Sequence, residues 1–137
     1  MQTNIVHHSD FLKNDLPSKC ANLIPADPPY FGVKGDFDFV WNSFEEYKMD
    51  VLRVSQEGHI TGEYDHDTVK PEKLTRILIK TCSREGDLVV VPFAGSGTEC
   101  AMSAKEKRPF IAYEITKKHV DMANKRAKRI LSEPELF

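Results

Sequence analysis

Two short segments hold the residue types that chemistry on a nucleoside needs. Asp27-Pro28-Pro29-Tyr30 offers a carboxylate, two rigid prolines and an aromatic ring, and Phe93-Ala94-Gly95-Ser96-Gly97-Thr98 offers small residues and accessible backbone. Asp27 can accept a hydrogen bond from an amino group. Pro28 and Pro29 hold the chain extended, which makes the Pro28 carbonyl a second, fixed acceptor. Tyr30 presents a flat face on which a base turned out of a helix can stack. In the glycine-rich segment, backbone N–H groups are available and a ligand can approach the main chain closely. The segment lacks the lysine of a GxxxxGK(S/T) loop, which argues against a nucleoside triphosphate. Glu114 follows the glycines by about 20 residues, a spacing at which a carboxylate accepts hydrogen bonds from ribose hydroxyls. A structural turn beside a surface glutamate is the plainer alternative, and the companion Asp-Pro-Pro-Tyr segment tells against it.

Each segment needs an element to carry it. Leu23-Ile24-Pro25-Ala26 leads into the first and Leu88-Val89-Val90-Val91 into the second. Both read as strands whose C-terminal ends carry the loops, the place where ligands bind in an open parallel sheet. Strands are expected near residues 4–8, 21–26, 87–91 and 109–114. Phe11 to Leu16 has room for one helical turn. Ser43 caps an expected helix with Phe44, Tyr47, Val51 and Val54 on one face. Pro71 opens another, with Leu74, Ile77, Leu78 and Cys82 as its apolar stripe. A third runs from Ser96 to Lys107. Thr116 caps a fourth, with Val120, Ala123, Ala127 and Ile130 turned inward. Strands alternating with helices define an α/β domain with a short parallel sheet and flanking helices.

Composition narrows the class. A chain of 137 residues fits one domain, here 1–137, with an ordinary soluble balance of apolar and charged residues. No apolar stretch has the length of a membrane span, and Met1 to Asp10 lacks the core of a signal peptide. Cys20, Cys82 and Cys100 are odd in number and show no CxxC spacing, as expected of reduced thiols in a cytoplasmic protein. A net charge of −2 excludes a broad phosphate-binding surface. The last helix is locally basic, with Lys117, Lys118, Lys125, Arg126, Lys128 and Arg129 against Asp121, and reads as a solvated face before it reads as a phosphate contact. His59, Asp65, His66 and Asp67 match no zinc spacing, so no metal is expected.

The two segments and their order resemble the β-class amino-methyltransferases that use S-adenosyl-L-methionine (SAM) to modify adenine N6 or cytosine N4 in DNA. Further elements share the resemblance. His66-Asp67-Thr68-Val69-Lys70-Pro71 is similar to the HPTQKP element of that class, Ser9-Asp10 to its GD, and Trp41 through Tyr47 to the helix start after its DPPY. The resemblance covers nearly the whole chain. It implies a Rossmann-like SAM-methyltransferase fold in permuted order and methyl transfer to a flipped base in DNA, adenine N6 before cytosine N4. Carried over position by position, it implies catalytic roles for Asp27, Pro28, Pro29 and Tyr30. It implies SAM contacts at Asp10, Thr68, Lys70, Pro71, Phe93, Ala94, Gly95, Ser96, Gly97, Thr98 and Glu114. An amino nitrogen on a base ring is a poor nucleophile, so acceptors that favour a pyramidal nitrogen are what Asp27 and the Pro28 carbonyl would supply.

Two departures qualify this. The class has Asp before Pro-Phe in the glycine motif, where this chain has Val91; restoring the carboxylate is expected to tighten cofactor binding. Between Tyr30 and His66 lie 35 residues, where the class places further strands and a target-recognition region. A minimal or internally deleted methyltransferase is expected, binding DNA weakly or with help from a separate target-recognition chain or a homodimeric partner. The alternative is a SAM-binding remnant, or one half of a split enzyme, inactive alone.

Overall fold

Three short strands form one parallel sheet: β1 (Ile5–His8), β2 (Val89–Val91) and β3 (Phe110–Glu114), in the order β1-β3-β2. The computed structural model describes residues 2–25 and 69–133. Within them lie three α-helices, α1 (Glu72–Cys82), α2 (Thr98–Lys105) and α3 (Lys117–Ser132), and a single 3-10 turn at Phe11–Lys13. The expected helix over Phe44–Val54 falls outside the described residues, as do Asp27, Pro28, Pro29, Tyr30 and Thr68. Among the described residues no helix is long and apolar enough to cross a membrane.

Side-chain alternation along the strands divides the core into two faces. On one face Val6, Val89, Val91, Phe110 and Ala112 meet Cys100 of α2 and Val120, Ala123 and Ala127 of α3. On the other, Leu88, Val90, Ile111 and Tyr113 are covered by Phe11, Leu16, Cys20, Ala21 and Ile24. The N-terminal segment therefore performs the covering that a helix usually performs on a parallel sheet. The third layer is α1, whose Ile79 packs on Ala101 and Met102 of α2. Enclosed on all sides, α2 buries every residue from Thr98 to Ser103, which accounts for its small side chains. Asn124 of α3 accepts the Val6 N–H at 2.9 Å and donates to the Val6 carbonyl at 3.0 Å, so the outer edge of β1 is occupied.

The strand expected over 21–26 is reduced to one parallel bridge between Leu23 and Val89, on the side of β2 away from β3. Leu23 donates to the Leu88 carbonyl at 3.2 Å and accepts from Val90 N–H at 2.8 Å. On its N-terminal side the ladder stops because the Asn22 side-chain oxygen takes the Leu88 N–H at 2.9 Å, in place of a backbone acceptor, and on the other side because Pro25 and Pro92 have no N–H to continue it. The parallel direction still carries Ile24 and Pro25 toward the edge at which β2 ends.

Three helix expectations need correction. In α1 the buried residues are Thr75, Ile77, Ile79 and Thr81, while Leu78 is 52% exposed. The run Ile77-Leu78-Ile79 offers more than one apolar face, and packing on α2 selects the one that contains Ile79. The Ser96–Lys107 helix is shorter, Thr98–Lys105, because Gly97 holds a left-handed conformation at its start and Lys107 another just past its end. In α3 Val120, Ala123 and Ala127 face inward as expected, and Ile130 is half-buried. Arg126, assigned to the solvated basic face, is buried at 3% exposure.

Gly97 is required twice. Its φ is +78°, and a Cβ built there would meet the Ala123 Cβ at 2.6 Å and Cα at 2.7 Å. Gly86 has φ +87° and nothing near its missing Cβ. Gly97→Ala is thus expected to lose at least about 2 kcal/mol by urea unfolding, from left-handed strain plus overpacking. Gly86→Ala should lose only the strain, about 1 kcal/mol. Equal losses would show that the approach to Ala123 costs nothing.

Candidate functional site at the C-terminal edge of the sheet

Parallel strands end on one edge, and the candidate residues gather there. Ser9 and Asp10 follow β1, the glycine-rich loop follows β2, and Glu114 closes β3. Ser9 N–H donates to the Glu114 carbonyl at 3.0 Å, and Ala94 N–H to the Tyr113 carbonyl at 2.9 Å. The Asp10 carboxylate caps the 3-10 turn by accepting Leu12 N–H at 3.0 Å. Within the loop, Gly97 N–H donates to the Ala94 carbonyl at 2.8 Å, closing a turn in which Gly95 has φ +50°.

Glu114 organises this edge. One carboxylate oxygen accepts Gly95 N–H at 3.0 Å and the other accepts Thr116 N–H at 2.8 Å. It ties the loop to the end of β3 and to the Thr116 N–H just before α3, while the Thr116 side chain, expected to cap that helix, makes no capping bond. A carboxylate offers about four lone-pair sites. Two are used, so acceptor capacity for ribose hydroxyls remains.

The loop residues divide by exposure. Phe93 is 56% exposed and Gly95 is half-buried, whereas Ala94, Ser96, Gly97 and Thr98 are buried. The Ser96 and Thr98 hydroxyls lie 3.3 Å apart, and Thr98 Oγ1 donates to the Lys70 carbonyl at 3.3 Å. These hydroxyls look inward, leaving Phe93 and the Gly95 backbone as the accessible part. Lys70 and Pro71 are thereby joined to the loop. The Lys70 ammonium, a candidate cofactor contact, bonds the buried Glu99 carboxylate at 2.5 Å.

Sequence reasoning missed Glu72, Glu99 and Arg126. Arg126 donates from Nη1 to Thr98 Oγ1 at 2.8 Å and to the Ser96 carbonyl at 3.3 Å, and from Nη2 to Glu72 Oε1 at 2.6 Å. Its only sequence signal was a cation adjoining the Ala123–Ala127 stripe. Burial, then the neighbouring Glu99 charge, pushes the Cys100 thiol well above its ordinary range, and burial also raises Cys82. Neither thiol has the features of a nucleophile. Tyr113 is raised by burial and then by Asp15 and Cys20; its ring stacks on His7 and meets Phe11 edge-on, both at 5.4 Å. It serves the core.

A parallel α/β sheet with a glycine loop and an acid at adjacent strand ends defines a nucleoside-cofactor fold of the Rossmann-like class. The match to the DNA methylase family model spans residues 40–125, more than half of the chain, and the chain belongs to that family. It is 43% identical over 101 residues to the orphan methyltransferase M.BamHII of Bacillus amyloliquefaciens, covering 74% of this chain and 34% of that protein. It is 39% identical over 69 residues to the DNA adenine methyltransferase YhdJ of Escherichia coli (strain K12), covering 50% of this chain and 24% of that one. The chain thus spans about a third or less of the length of these relatives. The crystal structure of an M1.HpyAVI–SAM complex superposes with a TM-score of 0.56 at 27% identity, covering 68% of this chain and 46% of that one. The fold is the Rossmann-like α/β fold of SAM-bound methyltransferases.

Val91 is 1% exposed within the apolar cluster that includes Val6, Ala94 and Val120. The structure therefore changes what a carboxylate at this position should do. Burial raises a carboxyl pKa, so folded Val91→Asp would hold its proton more tightly than the unfolded chain. Its stability deficit should be smallest below the unfolded carboxyl value of about 3.9 and should grow as pH rises through the folded value. Near pH 7 a loss of about 3 kcal/mol is expected from urea midpoints. A wild-type midpoint with tighter SAM binding would restore the sequence-based expectation. Glu114→Ala should leave two N–H groups without their acceptor and cost about 1–3 kcal/mol in the same assay. An unchanged midpoint would remove Glu114 as the loop's anchor.

Proposed function

We propose that residues 1–137 form one SAM-dependent DNA amino-methyltransferase unit, acting on adenine N6 in preference to cytosine N4. The observation that carries this reading is the Glu114 carboxylate, holding Gly95 and Thr116 at the C-terminal edge while keeping acceptor capacity. The family membership, the name of YhdJ as an adenine methyltransferase and the SAM bound to M1.HpyAVI support it. The donor set fits SAM: Glu114 suits the ribose hydroxyls, the Gly95 backbone permits close approach, and Phe93 offers apolar surface. Bound SAM supplies an electrophilic methyl group.

In this reading Asp27 and the Pro28 carbonyl accept hydrogen bonds from the target amino group, Pro29 keeps that carbonyl fixed, and Tyr30 stacks on the flipped base. The acceptors favour a nitrogen lone pair directed at the methyl group and away from the ring. Asp10, Thr68, Lys70 and Pro71 complete the cofactor pocket. The Leu23 bridge supports this, since it sets the segment that ends at Pro25 beside β2.

Reading a DNA sequence in the major groove takes an inserted helix or ribbon. The 35 residues between Tyr30 and His66 leave little chain for one, and a net charge of −2 supplies no broad phosphate surface. In this reading the 1–137 unit leaves target choice to another unit, such as a separate recognition chain or a second copy. Val91 and the short spacing favour a second reading, a cytoplasmic SAM-binding remnant or half of a split enzyme.

Calorimetric SAM binding and transfer of labelled methyl to unmethylated DNA, measured on one sample, separate these readings. SAM binding with weak or absent site-specific methylation by the chain alone is expected. Asp27→Ala should abolish any transfer while leaving much of the SAM affinity, because the target's charge changes only during transfer. Equal loss of both would make Asp27 a cofactor ligand. Absence of SAM binding by the wild-type chain would overturn the reading.

A further inference from the structure

Arg126 is a charged side chain at 3% exposure, and a buried charge is costly unless paired and hydrogen-bonded. Its partners come from two other parts of the fold. Nη2 meets the Glu72 carboxylate of α1 at 2.6 Å, and Nη1 meets Thr98 Oγ1 at 2.8 Å and the Ser96 carbonyl at 3.3 Å. The donor directions are fixed. A guanidinium has only N–H donors, so toward Arg126 the Thr98 oxygen accepts, and its own proton remains for the Lys70 carbonyl at 3.3 Å. One guanidinium thus holds the loop after β2 and the segment entering α1 in a single arrangement. One helical turn earlier in α3, Ala123 closes on Gly97, where even a Cβ would clash. The loop is held against α3 by an apolar contact on one side and a forked polar contact on the other.

We propose that Arg126 is a positioning residue for the cofactor loop: by clamping Ser96 and Thr98 to Glu72, it sets the loop backbone relative to Lys70 and Pro71 before SAM arrives. The proposal rests on the SAM reading above. It requires the fork and the charge together. A lysine ammonium is a point donor that can keep the pair with Glu72 but cannot span both sides with the same planar geometry. Pre-ordering of this kind acts on affinity, because a loop already held in its binding conformation has less freedom to lose.

The test uses the full chain with Arg126→Lys and Glu72→Gln. Glu72 is a third exposed, so its variant should fold even if the arginine variant does not. Amide hydrogen exchange is followed without ligand over residues 93–99, with β3 as internal reference, and SAM affinity is measured by calorimetry below each variant's melting transition. Arg126→Lys should speed loop exchange at least tenfold and weaken SAM at least tenfold, with β3 exchange as in wild type. Glu72→Gln should change both several-fold in the same direction. A lowered melting temperature with wild-type loop exchange and SAM affinity in the folded variants would make Arg126 purely structural and overturn the proposal. Wild-type protein that binds no SAM would refute the underlying reading, whereas wild-type binding with unaffected variants refutes the role of Arg126 alone.

Discussion

The missing side chain at Gly97 sets the geometry of the candidate site. Helices α2 and α3 lie against the same face of the sheet, and the Gly97 backbone at the start of α2 lies directly against Ala123 of α3. Because the two can touch there, α2 can start directly beneath the loop and α3 can run past it. That contact brings Arg126 within reach of Ser96 and Thr98, and it leaves Gly95 above, where Glu114 takes its N–H. Close helix approach, loop conformation and the charged contacts are consequences of one position at which only glycine fits.

Charge at this edge serves orientation before affinity. Glu114 satisfies two backbone donors, Arg126 spans α1 and the loop, and Lys70 pairs with Glu99 on α2. Buried ion pairs contribute little net stability, since desolvation offsets most of their attraction. What they supply is a specific arrangement: a displaced loop would leave a buried charge without its partner. The apolar faces of the sheet hold the domain together, and the polar links decide where its loops lie.

The sequence made this edge legible where one residue type had a local reason to be present. The all-apolar run before the glycines, the glycines themselves and the acid after the next apolar run each report on their own position, and the structure has them at adjacent strand ends. Features that depend on distant partners were hidden. Arg126 looked like one more cation on a basic helix because its partners Glu72, Ser96 and Thr98 are at least 28 positions away. Leu78 and Ile79 are equally apolar, and only packing on α2 separates them. Asn22 looked like part of a strand, yet its side chain ends the ladder. Nothing local marked residues 11–24 as the cover of the second sheet face, because their apolar residues follow neither helical nor strand periodicity.

The burial of Arg126 also alters how α3 would meet a polyanion. Its exposed cations are Lys117, Lys118, Lys125, Lys128 and Arg129, and Lys117 pairs with Asp121 four residues on. A stripe of this size makes a modest, salt-sensitive contribution to DNA affinity and carries no sequence information. The glycine loop's described partners lie elsewhere, on β3, on the segment before α1 and on the inner side of α3. Under the proposed function, holding SAM and choosing a DNA target are therefore physically separate tasks. The first rests on tightly packed backbone and buried charge pairs, so it tolerates little change. The second rests on an exposed face and a short stretch of chain, and it can be handed to a partner without disturbing the fold that holds the cofactor.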